Sequence, residues 1–584
     1  MNHSSIPLAQ TVVHHCKLKG ISNIVISPGS RNAPLIIGFS EDSFFECYSI
    51  VDERCAAFFA LGIAQQKQEP VALVCTSGSA LLNYYPAVAE AFYSDIPLVI
   101  LSADRPKYKI DIGDGQTIRQ ERVFEPNITC SVALKQDVIH ATDRIEAYDV
   151  QALGDTPVEE TQVEVQQYND GLLNKALNTA LTQKAPVHVN IPFEEPLYDL
   201  VNEPSVIPEV TFPEEETLEG ATSLEPYAEI WNTAKKKLVL IGVNQPNTIE
   251  QQFLDELAED PSILVMTETT SNLHHPNFFP SIDSIIAPLE KSEERDALFE
   301  KLRPEVLLTF GGLLVSKKIK AFLRAYRPKH HWHIDTKKAY NTFFNLSHHF
   351  KMEPNTFFNN FLNLIDTVES DYFPYWKKVR ENYEHKRKAY IEEIAFSDMK
   401  AFHNVTFNIP SDYQLQLANS STVRYVQLFD LDPSIRVFCN RGTSGIDGST
   451  ATAIGASLYD KAPTLLLTGD LSFFYDSNAL WNNYIRPDFR IILINNSGGG
   501  IFRILPGNKK SENFETYFET VHHLNAAQLC EMHQIEYHQV KEEEDLLEIH
   551  SHFYQKSTRP KLLEIVTPRL VNNKILLSYF DFIS

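Results

Sequence analysis

Strand-length apolar runs that alternate with helix-length segments along the whole chain predict an α/β protein built from three doubly wound parallel-sheet domains. Two observations carry this. The runs "NIVIS", "VALVCTS", "IPLVILSAD" and "PVHVNIP", then "KLVLIG", "SILVMTE", "VLLTFGG" and "HWHID", then "IRVFCN", "TLLLTGD", "RIILINN" and "KLLEIVTP" are continuously hydrophobic rather than alternating. Such strands are covered on both faces, as in parallel sheets flanked by helices. The runs also fall into three groups separated by stretches of different composition.

Taken in order, the first group spans residues 1–200 and ends at an acidic, proline-rich stretch, residues 203–226. The second occupies 226–365. Around 351–396 the segment "YWKKVRENYEHKRKAYIEEI" has the pattern of a charged amphipathic helix, and it leads into a third domain, 396–584. Within the first domain, "IVISPGSRNAPL" reads as a strand broken by Pro28 and Gly29, followed by a helix from near Ala33 that Ser30 or Asn32 could cap. A Gly-rich turn at the carboxyl end of a parallel strand offers backbone N–H groups to an anion, and Arg31 adds a cation. The histidines of "HHWH", residues 330–333, alternate as a strand does and lack the spacing of a metal motif.

Composition narrows the ligands. The 584-residue chain is 43% hydrophobic and carries a formal charge of −24, which argues against nucleic acid or an anionic membrane as partner. Anionic ligands would then need local clusters of cations. Seven scattered cysteines without a C-x-x-C pair, together with an N-terminus lacking a long apolar core, lead us to expect a reducing, cytoplasmic setting.

The stretch "LLLTGDLSFFYDSNALWNNYIRPDFRIILINNSGGGIF" concentrates the chemistry. One strand delivers Gly469 and Asp470 and the next delivers Asn495 and Asn496. If the strands are neighbours, Asp470 and Asn496 converge at the carboxyl edge of the sheet. A carboxylate, an amide oxygen and a backbone carbonyl near Gly498 form an oxygen-only site suited to magnesium carrying a diphosphate.

This G-D…N-N pattern resembles the fingerprint of thiamine diphosphate-dependent enzymes, with "GDLS" in the form seen in one branch. The fragments "SPGSRNAPL", "DERCAAFFALGIA", "SADRP", "GQTIRQ", "PVHVNIPFEEPLY", "NRGTSGIDG" and "GDLSFFYDSNAL", in that order, resemble the 2-succinyl-5-enolpyruvyl-6-hydroxy-3-cyclohexene-1-carboxylate synthase family of menaquinone biosynthesis. The central domain matches only loosely. The resemblance implies a transferase that decarboxylates 2-oxoglutarate and adds the succinyl unit to isochorismate, using thiamine diphosphate with Mg2+ or Mn2+, in a homodimer or dimer of dimers.

It also implies roles. Glu53 is the carboxylate that meets the aminopyrimidine of the cofactor, with Asp52 a competitor for that role. Ile446 is the bulky residue that bends the cofactor, and Gly469, Asp470, Leu471, Ser472, Asn496 and Gly498 hold its diphosphate and metal. Ser30, Arg31, Arg105 and Gln116 face isochorismate, and Arg424 and Arg441 face the succinyl carboxylate. Lys317 reaches in from the central domain, while Lys318 stands where relatives often carry arginine. Gly115 departs from the usual Asn before Gln116, and Gly500 from a longer residue. Two other readings are a thiamine-dependent decarboxylase or carboligase of monoacids and an inert binding protein on the same fold. The four arginines weigh against the first, and Glu53, Asp470 and Asn496 in one chain against the second.

Overall fold

The computed structural model describes residues 2–213, 223–505 and 511–584. Residues 214–222 of the acidic break lie outside the described residues. The chain forms two compact units: Met1–Glu216 with Gly442–Lys461 and Tyr475–Arg486, and Thr217–Arg441 with Ala462–Phe474 and Pro487–Ser584. Each of the three expected spans contributes one large sheet, and two of these sheets share the second unit.

The first unit is built on six parallel strands, β1 (Asn23–Ile26), β2 (Glu46–Ser49), β3 (Val71–Cys75), β4 (Leu98–Asp104), β5 (Cys130–Ala133) and β6 (Val187–Pro192), in the order β2-β1-β3-β4-β6-β5. Interior strands β1, β3 and β4 are wholly buried, whereas edge strand β2, sequence "ECYS", buries only Tyr48. An edge strand has one neighbour and less cover, so its sequence need not be continuously apolar.

Helix α1 (Ala33–Ser40) follows β1, and α2 (Glu53–Lys67) follows β2. Neither Ser30 nor Asn32 caps α1. Asn32 spends its amide on Ser27 O at 2.9 Å, tying the turn back to β1 instead. Helix α2 is buried along most of its length because α3 (Ser449–Tyr459) crosses it at glycines. A Cβ on Gly62 would lie 2.1 Å from Thr452 O, and one on Gly455 2.0 Å from Phe59 O.

The second unit holds two parallel sheets. One has strands β7 (Lys237–Ile241), β8 (Ile263–Met266), β9 (Val306–Phe310), β10 (His330–Ile334) and β11 (His348–Phe350) in the order β8-β7-β9-β10-β11. The other has β12 (Gln414–Leu417), β13 (Arg436–Cys439), β14 (Thr464–Gly469), β15 (Arg490–Asn495), β16 (Glu536–Val540) and β17 (Lys561–Val566) in the order β13-β12-β14-β15-β17-β16, the same pattern as the first unit's sheet. One continuous core joins them, running from Leu238, Leu264 and Leu307 to Leu415, Leu467 and Ile492. The charged helix Tyr372–Glu393 contributes Trp376, Tyr383 and Tyr390 to that core. Among the described residues no helix is long and apolar enough to cross a membrane.

Candidate active site

Strands β14 and β15 are neighbours, with Gly469 opposite Ile494, so the residues that follow them meet at one carboxyl edge. There Asp470 Oδ1 accepts the Leu471 N–H at 2.7 Å and Oδ2 accepts the Gly498 N–H at 2.9 Å. Ser472 is buried in the helical turn after Asp470. Gly498 has φ 145°, and a Cβ there would lie 2.6 Å from Glu519 O, so both conformation and space require glycine. A side chain at Gly500 would meet Asn496 Nδ2 at 3.3 Å, a tight but lesser constraint.

Asn496 is oriented by a residue that the sequence does not advertise. Its Nδ2 donates to Asp398 Oδ2 at 2.8 Å, and Thr567 Oγ1 donates to the other carboxylate oxygen at 2.5 Å. Burial raises the Asp398 carboxyl to about 6, against those two hydrogen bonds. With Nδ2 fixed there, Asn496 Oδ1 is buried without a donor. A buried oxygen lacking a partner is costly unless something meets it. Together with Asp470 it presents hard oxygen donors, the chemistry of a magnesium or manganese site.

The same sheet edge carries a cationic cluster. Asn419 follows β12, Arg424 lies on helix Ser421–Val426, and Arg441 follows β13. Arg441 Nη1 donates to Asn419 Oδ1, and Arg424 Nη1 to Ser420 O. Burial, and next the charge of Arg441, lower the Arg424 pKa, while Asp283 and Glu268 oppose them. Glu268 is buried, its carboxylate taking the N–H groups of Val315 and Ser316 at 2.7 Å each. Lys317 is exposed and Lys318 pairs with Glu290. The lysine that feels Glu268, Arg441 and Arg424 is Lys320, its pKa lowered first by burial.

In the first unit, Asp52 and Glu53 divide their tasks. Asp52 caps α2, accepting the Cys55 N–H at 3.1 Å and the Asn478 amide at 2.8 Å. Burial acts to raise its pKa, but Asn478, Cys55 and Arg54 together bring it below the usual carboxylate value. Glu53, the first residue of the helix, has no hydrogen-bond partner for its carboxylate among the described residues. Ile446 lies in the loop that precedes α3, 39% exposed.

Two buried carboxylates fasten that loop, and sequence reasoning missed both. Glu90 accepts the N–H groups of Gly442 and Thr443 at 2.7 and 2.6 Å, and Asp476 accepts that of Ala451 at 2.9 Å. Burial raises Asp476 to about 7, against those backbone bonds and Arg54. The one sequence signal for Glu90 is an acid inside the apolar run "AVAEAF".

At the carboxyl ends of β1, β3, β4 and β6, Gly29 packs against Thr76, where a Cβ would approach to 2.4 Å. Arg31 is buried, donating to Phe193 O at 2.9 Å and Glu195 Oε1 at 2.8 Å, and its Nε has no partner. Arg105 donates to Ser77 Oγ and to Gln116 O at 2.8 Å. Its pKa is lowered by burial and then by the charge of Arg31. Gln116 is exposed with φ 57°, so its main chain rather than its side chain positions Arg105. The buried glutamine of the loop is Gln120, bonded to Asn190 and to the Gly78 N–H. Ser30 is exposed beside Arg31. Glu194 anchors the rim through Lys109 at 2.7 Å, Arg144 at 2.9 Å and Tyr108.

Residues 6–125 match the N-terminal TPP binding domain of thiamine pyrophosphate enzymes, and residues 420–565 match the C-terminal TPP binding domain. The chain is 55% identical to the 2-succinyl-5-enolpyruvyl-6-hydroxy-3-cyclohexene-1-carboxylate synthase of Christiangramia forsetii over 100% of both chains. It is 54% identical to the protein of that name from Flavobacterium johnsoniae over 99% of each chain. With that of Porphyromonas gingivalis the identity is 36% over 97% of this chain and 96% of the other.

Proposed function

The chain belongs to the 2-succinyl-5-enolpyruvyl-6-hydroxy-3-cyclohexene-1-carboxylate synthase family of thiamine diphosphate-dependent enzymes in menaquinone biosynthesis, and from that premise we propose that it decarboxylates 2-oxoglutarate and joins the succinyl unit to isochorismate, releasing CO2. The observation that carries the choice of substrates is the placing of buried Arg31 and Arg441, with half-buried Arg105 and Arg424, where the reacting anions must be desolvated. Arg424 and Arg441 repel each other within one cluster, and Arg31 and Arg105 do so within another. Repelling cations are retained at little net cost only where an anion relieves them.

Asp470, Asn496 Oδ1 and the Gly498 carbonyl would hold Mg2+ or Mn2+, the orphaned Asn496 oxygen being what supports the fit. Thiamine diphosphate, once bound, supplies the nucleophilic carbon and electron sink on which a 2-oxo acid loses CO2. Glu53 holds the proton shared with the aminopyrimidine nitrogen, its carboxylate left available because Asp52 does the capping. Ile446 would support the cofactor once bound. Arg424 and Arg441 bind the distal carboxylate of 2-oxoglutarate, with Lys320 rather than the exposed Lys317 adding charge from the central sheet. Ser30, Arg31, Arg105 and Gln116 orient isochorismate.

Glu53 belongs to one unit and the metal pair to the other. The reading completes each site with halves from two copies, in a homodimer or dimer of dimers, and seven free cysteines support a cytoplasmic setting. The test follows the ultraviolet loss of isochorismate while 2-oxoglutarate, thiamine diphosphate and magnesium are omitted in turn. Consumption that persists without 2-oxoglutarate rejects the proposal.

A further inference from the structure

His522 lies against the metal half of the site without being one of its oxygen donors. Its Nε2 is 3.3 Å from Asp470 Oδ2, the oxygen that also accepts the Gly498 N–H. The ring is held on several sides. Nδ1 accepts the Leu524 N–H at 3.2 Å, Phe474 packs edge-on with ring centres 5.5 Å apart, and the His522 N–H donates to Ser497 O at 3.3 Å. The segment is fastened again where Asn495 Nδ2 donates to Leu524 O at 2.9 Å.

These contacts settle what the imidazole offers. A ring nitrogen that accepts a backbone N–H carries no proton, so in the neutral ring the proton is on Nε2. Nε2 is then a donor with no lone pair for a metal. It is also buried with no well-aligned acceptor, a cost the fold retains only where an acceptor is completed. The nearest anionic oxygen is Asp470 Oδ2.

We propose that His522 is a positioning residue of the metal half-site, its Nε2–H fixing the rotation of the Asp470 carboxylate and tying it to the turn that presents Gly498. The inference rests on the metal reading given above. Hydrogen bonds to metal-ligating carboxylates set the direction of the ligand oxygens, and removing one typically costs about 10- to 100-fold in metal affinity.

The experiment is titration of the full-length protein with Mg2+ at saturating thiamine diphosphate, read by tryptophan fluorescence, for the wild type, His522→Leu, His522→Gln and Asp470→Ala. His522→Leu keeps the bulk and removes the donor. It should bind Mg2+ about 10-fold or more weakly while the melting temperature of the ligand-free protein stays at the wild-type value. His522→Gln, whose amide N–H reaches a similar place, should recover most of that affinity. Unchanged affinity in Asp470→Ala would overturn the metal reading itself. Weakened affinity in Asp470→Ala with wild-type affinity in His522→Leu would overturn only the role of His522. Equal losses in His522→Leu and His522→Gln would likewise overturn it, since bulk and ring packing would then be what matters.

Discussion

Replacing Arg441 by alanine tests why the donor is 2-oxoglutarate rather than a monoacid. The distal carboxylate of the donor must leave water, and only charge-assisted hydrogen bonds compensate for that inside the protein. Arg441 is 7% exposed and shares its cluster with Arg424, whose own guanidinium is destabilised by burial and by Arg441. Truncating one partner of such a buried charge pair costs about 2 to 5 kcal/mol, and about 1.4 kcal/mol is tenfold. The loss falls toward the lower end of that range, because removing Arg441 also relieves Arg424 of a repelling neighbour. Asn419 loses the Arg441 Nη1 donor but keeps its own bond to Asn440 O, so the local fold should survive. The specificity constant kcat/KM for 2-oxoglutarate should therefore fall about 30-fold or more. Pyruvate has no distal charge, and its weak turnover should change far less. Steady-state kinetics with both donors at saturating isochorismate decide the matter. An equal fractional loss would mean that Arg441 serves the common chemistry or the fold, and the assignment of donor specificity would fail.

Glu53→Gln should cut turnover by about 100-fold or more while cofactor titration stays near wild type, and turnover close to wild type would move the proton to another group. Asp52→Ala should instead lower the melting temperature by the equivalent of about 1 kcal/mol, the worth of a helix cap, as scanned by calorimetry. Glu194 gives a pH dependence. Burial opposes its ionisation, but Lys109, Tyr108 and the Glu195 N–H outweigh it and hold the folded pKa at about 2 against 4.5 ordinarily. The stabilisation, about 3 kcal/mol, is therefore complete above pH 4.5 or so and is lost as the pH falls toward 2. The melting temperatures of wild type and Glu194→Gln should differ most at neutral pH and converge in acid, and a constant difference would refute the linkage. Sedimentation should find a homodimer or dimer of dimers, and a fully active monomer would contradict the two-copy site.

Sheets were easier to read from sequence than units. Interior strands such as "VALVC" and "RIILIN" are buried along their whole length, so composition alone marks them. The helix Tyr372–Glu393 read as charged and amphipathic, and its buried face is formed by Trp376, Tyr383 and Tyr390, which return every seventh residue, but what that face packs against is not written in it. Within the candidate site, Asp470 and Asn496 were legible because neighbouring strands end one residue before each of them. Asp398, Glu90 and Asp476 were not, for their carboxylates act on groups far away in sequence: Asn496, Gly442 and Ala451. Nor does local pattern say which of three lysines on helix Lys317–Ala325 joins the arginines, since that depends on Glu268, which follows β8.

On the proposed reading, Arg31 shows how a chain of charge −24 could hold an anion site without a bare basic surface. Its guanidinium is already engaged by Glu195 and Phe193 O, a state that at first looks satisfied. Arg31, Arg105, Lys109 and Arg144 supply four cations, and Glu194, Glu195, Asp104 and Asp114 are the carboxylates that act on them. Burial raises the Asp104 pKa to about 6 against its bonds to Asn190 and the Arg105 N–H, so it gives up its charge only as the pH falls through about 6. The carboxylates thus fix where the cations sit, while Arg31 and Arg105 still repel each other at the strand ends. On the proposed reading, a dicarboxylate entering there would meet cations already ordered by folding, which would lower the entropy that binding otherwise costs. Glu268 and Asp283 likewise oppose the effect of burial and of Arg441 on Arg424, and on the proposed reading the distal carboxylate of the substrate would complete that compensation.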